Sequence, residues 1–127
     1  MHQFIVDAHN SIVTPIDKVY FLGDVIINKQ YFDILSQMNG HKRLVRGNHD
    51  IYDDKHYRQY FKSIHGVKVI ADKKIMMTHI PIFPNCIKNE WVNIHGHLHT
   101  HSIADNRYKN VCLEVIDYKP VNIESLI

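Results

Sequence analysis

Apolar residues Phe4, Ile5, Ala8 and Ile12 fall three and four positions apart, the spacing of one helix face, and predict an amphipathic helix over the first dozen residues. Pro15 and Asp17 break that pattern, and KVYFL (18–22) is a continuous apolar run of strand length. Helical spacing returns at Tyr31, Ile34, Leu35 and Met38, with Asn28 as N-cap and Gly40 as terminator. KRLVR (42–46) predicts a second strand ending at Gly47, and a short helix follows over residues 53–61 with acids in its first turn. VKVI (67–70) and KIMMT (74–78) read as a hairpin joined by Asp72 and Lys73, and WVNIH (91–95) and NVCLEVI (110–116) as the last strands. Strands that alternate with helices early and follow one another directly later predict an α/β domain with both parallel and antiparallel pairing. Periodicity leaves open whether they form one sheet or two.

Composition narrows the class. A chain of 127 residues suits a single domain, residues 1–127, and is too short for two of ordinary size. With 45% hydrophobic residues it is too apolar for a disordered chain, and no apolar run reaches the roughly 20 residues of a membrane span. The opening MHQFIVDAHN lacks the basic-then-apolar layout of a secretory signal. Cys86 and Cys112 stand alone, outside any CxxC pair, as in a reduced, cytoplasmic protein. The 15 basic residues sit among 13 acids without a basic stripe, so nucleic acid is expected only as a substrate and a membrane not at all. The eleven histidines are the unusual feature.

Many of these histidines lie at strand ends. Gly23-Asp24 follows KVYFL, Gly47-Asn48-His49-Asp50 follows KRLVR, His79 follows KIMMT, and His95-Gly96-His97-Leu98-His99 ends the WVNI run. Taken singly, each has a bland reading. Gly-Asp makes turns, Asn-His-Asp caps a helix, His79 before Ile80-Pro81 fits a loop, and His97 and His99 share one solvated strand face. Their recurrence at four strand ends is different, because α/β sheets bind ligands at the carboxyl ends of their strands. Carboxylate, amide oxygen and imidazole together suit a divalent metal such as manganese, iron or zinc.

The ordered motifs LGDV (22–25), VRGNHD (45–50), MTHIP (77–81) and HGHLH (95–99) resemble those of the calcineurin-like metallophosphoesterases, over about residues 17–118. The resemblance implies a calcineurin-like mixed β-sandwich flanked by helices, here N-terminally shortened, and a site for two metal ions. By it, Asp24 bridges the two metals, Asn48, His79 and His97 complete the second, and His99 belongs to the first. His49 would lie at the leaving-group oxygen, oriented by Asp50, with Arg46 near the phosphate. The implied activity is metal-dependent hydrolysis of a phosphodiester or phosphomonoester, by attack of a metal-activated hydroxide while His49 assists the departing alkoxide. The implied cofactor is manganese, with iron, zinc or nickel as alternatives.

The family's first metal also takes an Asp-x-His motif at the end of a first strand. Asp7-Ala8-His9 has that form, but only eight residues, Pro15 among them, separate His9 from Lys18. A parallel crossover needs about a dozen or more. Asp7 and His9 are therefore expected on an exposed helix surface, leaving the first metal with only Asp24 and His99; the resemblance implies two metals in a complete site, and the shortened chain leaves one or two open here. His95 and His101 flank the pair as candidate substitutes. The alternative function is a metal-binding or interaction module with weak or no turnover. A sheet lacking that strand exposes an edge, so a homodimer or an upstream fragment filling the gap is expected. With no room for a cap domain, the substrate would be a small or extended phosphoester selected by short loops.

Overall fold

A computed structural model describes residues 2–24 and 29–127. Asn28, the expected N-cap, and Val25 of the LGDV motif lie outside the described residues. The protein is a mixed α/β fold with two sheets and few helices. The first sheet contains β1 (Lys18–Phe21), β2 (His41–Val45) and β3 (Ser63–His65) in that order, all parallel. The second contains β4 (Lys68–Ile70), β5 (Ile75–Thr78), β6 (Val92–His95) and β7 (Tyr108–Asn110). β4 runs antiparallel to β5, as the predicted hairpin requires, and β5, β6 and β7 are parallel.

Adjacent residues of β2 show how the layers are held. Leu44 packs on one side with Val6, Phe32, Leu35, Tyr57 and Phe61, beneath the helices. Val45 points the other way and packs with Ile75, Met77 and Ile94 of the second sheet, joined by Tyr20 and Leu22. Successive strand side chains face opposite sides, so one strand serves both clusters.

Several elements differ from the sequence expectation. Helix α1 spans His2–Asn10; Ile5 and Ala8 of the predicted face pack inward, but so do Val6 and His9, while Phe4 and, beyond the helix, Ile12 are exposed. His9 draws the helix round, since its Nε2–H donates to Asn39 O at 2.8 Å and its ring stacks on Phe21. Lys29–Gln37 forms a 3-10 helix instead of an α-helix. A 3-10 helix repeats every three residues, and the buried residues Phe32, Leu35 and Met38 have that spacing. Helix α2 is a single turn, Asp54–Tyr57. β3 was not expected, and β7 ends at Asn110, earlier than predicted: Val115 and Ile116 both donate their amides to Cys112 O in turns. No helix among the described residues is long and apolar enough to cross a membrane.

Candidate metal centre

The site is built where the carboxyl ends of β1 and β2 meet those of β5 and β6. The chain leaves β1 through Leu22, whose carbonyl accepts a hydrogen bond from Nδ1 of His79, the residue after β5, at 2.7 Å. The carbonyl of His79 in turn accepts the Gly96 N–H, just beyond β6, at 2.9 Å. The loops after β1 and β2 touch backbone to backbone. Gly23 has φ 97°, and a Cβ on it would lie 2.6 Å from both Gly47 N and His79 Nδ1. A Cβ on Gly47 would fall on Asp24 Oδ1 and within 2.6 Å of the Asp24 amide. Only glycine fits at these two places.

That close approach fixes Asp24. Its N–H donates to Oδ2 of the buried Asp50 at 2.6 Å, and its Oδ1 accepts the His49 N–H at 2.8 Å. Its Oδ2 lies 3.2 Å from His79 Nε2. Around the same Nε2 stand Asn48 Oδ1 at 2.8 Å and His97 Nδ1 at 3.2 Å. Among the described residues, Asp24, His79 and His97 form the group of Asp, Glu, His or Cys side chains whose ligand atoms all lie within 4.8 Å of one another.

The bond to Leu22 O places a proton on His79 Nδ1, and Nε2 of the same ring faces Asp24 Oδ2, Asn48 Oδ1 and His97 Nδ1. Four polar atoms this close together need a proton or a cation among them. Ligands about 2.1 Å from a metal stand about 3.0 Å apart at right angles and about 3.4 Å apart in a tetrahedron. The two separations of 3.2 Å fall in that range, and the 2.8 Å from Asn48 lies just below it. Two imidazole nitrogens and two oxygens suit manganese, iron, zinc or nickel, and the buried His79 has the fixed tautomer a ligating imidazole needs. Asp24 and His97 hold left-handed φ angles of 53° and 70°, a local strain common at functional sites.

The remaining expected residues divide. His99, also left-handed at φ 53°, stands outside this group: its exposed ring reaches Glu114 Oε2 through Nδ1 at 2.8 Å. Glu114 was hidden inside the predicted final strand. Its carboxyl is held low by a backbone hydrogen bond and by His99. Beside it, burial pushes the Cys112 thiol up, the amides of His99 and Leu98 pull it down, and the carboxylates of Glu114 and Asp24 push it up. The two candidate substitutes lie elsewhere. His95 is fully buried beside Tyr108, with Nδ1 2.9 Å from Gly96 O and Nε2 enclosed without a partner, and burial holds its pKa down. His101 is exposed.

His49 is exposed, while Asp50, expected to orient it, ties Gly47 N–H and Asp24 N–H to one oxygen. Arg46, expected near phosphate, is engaged within its own loop. It pairs with Asp54, donates to Asp50 O and Tyr52 O at 2.5 and 2.6 Å, and lies 4.9 Å over the Tyr57 ring. Asp7 is exposed and accepts from Gln3 at 2.8 Å, whereas His9 is buried, contrary to the expected surface position. Both belong to α1.

No family model matches the chain. An uncharacterized protein of Methanocaldococcus jannaschii, MJ1445, is 30% identical over 138 residues, an alignment spanning all of this chain and 73% of that protein. The crystal structure of the protein of unknown function AQ665 from Aquifex aeolicus superposes with a TM-score of 0.71 at 27% identity, over 99% of this chain and 84% of that one.

Proposed function

We propose that this chain, which belongs to the family of the Methanocaldococcus jannaschii protein MJ1445, is a metal-dependent phosphoesterase with a calcineurin-like fold. The observation that carries the reading is the set of oxygen and nitrogen atoms from Asp24, Asn48 and His97 gathered around His79 Nε2. The glycine-hinged loops and ordered motifs support it. These four side chains would hold a divalent cation, manganese first among the candidates.

A bound cation would supply positive charge to a phosphoryl oxygen and lower the pKa of a water. The chain's own residues do the rest. Leu22 O holds His79 in the ligating tautomer, and Asp50 holds the two loops that carry Asp24 and Asn48. His49, exposed beside them, is placed by the bond from its amide to Asp24 Oδ1, and its ring is available to protonate a departing alkoxide. The exposure of Asn48 and His49 suits a small or extended phosphoester, a nucleic acid strand included, over an enclosed metabolite. Two free thiols, Cys86 and Cys112, fit a reducing, cytoplasmic setting.

The test combines metal analysis with turnover of bis(4-nitrophenyl) phosphate and 4-nitrophenyl phosphate in the presence of manganese. Bound metal and hydrolysis, both lost in Asp24→Ala, are the expected result. Full activity in Asp24→Ala would overturn the assignment. A second reading, a metal-binding module without turnover, is favoured by His99, whose Nδ1 is engaged by Glu114. One equivalent of metal with no hydrolysis of either ester would select it.

A further inference from the structure

Asn110 stands at the end of β7, in register with His95 of β6, and its side chain reaches the loop that follows β6. Its Nδ2 donates to His99 O and to His101 O, both at 2.9 Å, and its Oδ1 accepts the Cys112 N–H at 2.9 Å. One side-chain amide thus spends both donor hydrogens and its oxygen on backbone groups. His99 is held at two further points. Its N–H faces the Cys112 sulfur, and its Nδ1 lies 2.8 Å from Glu114 Oε2. Its φ of 53° is one that a residue bearing a side chain keeps only where the surroundings impose it. With its carbonyl and one ring nitrogen tied, the exposed His99 has one ring atom left for chemistry, Nε2, which no atom of the described residues holds.

We propose that Asn110 and Glu114 are positioning residues for His99. Asn110 sets the backbone that carries the ring, and Glu114 sets its tautomer, so that His99 serves phosphoester hydrolysis through Nε2. A carboxylate that accepts the Nδ1–H fixes the neutral ring with its lone pair on Nε2, whereas an unrestrained histidine favours the opposite tautomer. The bond that takes Nδ1 out of play therefore decides which nitrogen remains to act. Partners of this kind orient functional imidazoles and are worth roughly 10–100-fold in activity. As a plain surface ion pair the contact would add little to stability. The role in turnover rests on the phosphoesterase reading, while the tautomer of His99 stands without it.

Long-range proton–nitrogen NMR of the imidazoles in the metal-free protein reads the tautomer, and turnover of bis(4-nitrophenyl) phosphate with manganese reads its consequence. The His99 proton is expected on Nδ1 in the parent and in Glu114→Gln, whose amide oxygen still accepts it, and on Nε2 in Glu114→Ala. kcat is expected to fall roughly 10–100-fold in Glu114→Ala with KM little changed, and to be largely kept in Glu114→Gln. Asn110→Asp keeps the acceptor for the Cys112 N–H and loses both donors, so kcat should fall by the same order. A parent whose His99 carries its proton on Nε2, or a Glu114→Ala variant with parental tautomer and kcat, would overturn the proposal. Parental kcat in Asn110→Asp would remove Asn110 from it. An inactive parent overturns the phosphoesterase reading and with it the role in turnover, and the NMR spectra still decide for or against Glu114 as the residue that sets the ring.

Discussion

Asp50 Oδ2 accepts the backbone N–H of Asp24 at 2.6 Å across 26 positions of sequence, and the same oxygen accepts the Gly47 N–H at 2.7 Å. One buried carboxylate thus fastens the loop after β1 to the loop after β2. Asp50→Ala leaves both amides without that acceptor, a change expected to cost about 1–3 kcal/mol. On the proposed metal-binding reading, residues that hold ligands in place are worth roughly 10–100-fold in metal affinity, and manganese binding should weaken by that order. Urea unfolding and a calorimetric manganese titration measure the two effects. Unchanged affinity would show that the ligands hold their places without Asp50.

The loop contact also predicts opposite outcomes for two glycines. In Gly47→Ala the new methyl meets Asp24 Oδ1 and its amide, so the loops must separate, with a loss of about 2 kcal/mol or more. A Cβ on Gly66 meets nothing within 4 Å, and Gly66→Ala should be neutral or stabilise by up to about 1 kcal/mol through the unfolded chain. Denaturant midpoints of the two variants should fall on opposite sides of the parent, or the second on it.

Arg46 tests a reassigned role. Its guanidinium holds Asp50 O, Tyr52 O and Asp54 over the Tyr57 ring, so Arg46→Ala should lower stability by about 2–3 kcal/mol while the metal stoichiometry stays the same. Arg46→Lys should recover little, because an ammonium lacks the planar fork. A variant with parental stability that has lost only hydrolysis would return Arg46 to the phosphate.

Stability should fall in mild acid. Burial, chiefly, keeps the His9 pKa below its ordinary value of 6.5, with the bond to Asn39 O opposing and the charge of Lys42 assisting. The unfolded chain takes up a proton near pH 6.5 that folded His9 refuses. The contribution is therefore complete above that pH and is lost as the pH drops toward the folded value. Buried His95 acts in the same sense. Melting temperatures between pH 5 and 7.5 are expected to rise with pH, and to rise less steeply in His9→Phe, which keeps an aromatic ring beside Phe21. An identical slope in the variant would remove His9 as the cause.

The parts of the molecule legible in the sequence were those written in short stretches. The strand cores and the glycine-bearing motifs at their ends were readable because one backbone turn carries both the geometry and the ligand type. Asp24, Asn48, His79 and His97 meet as their positions at strand ends suggested. What escaped depends on distant partners. Glu114 sat within an apolar run that looked like strand, and nothing local marks it as the residue that meets His99. Asp50 and Arg46 are employed on backbone groups, which residue types cannot reveal. The Lys29–Gln37 segment satisfied two periods at once, and burial of Phe32 with Leu35 and Met38 decided for the shorter one.

The left-handed backbone at His97 and His99 bears on how such a chain would drift. A side chain at such an angle costs of order 1–3 kcal/mol that glycine would not incur. Random substitution at these two positions is thus biased: His97→Gly would gain stability while removing an imidazole from beside His79. A lineage released from its chemistry would slide toward glycine there without any selection for the change. At both positions the backbone favours glycine on stability grounds alone, and the two imidazoles carry that cost.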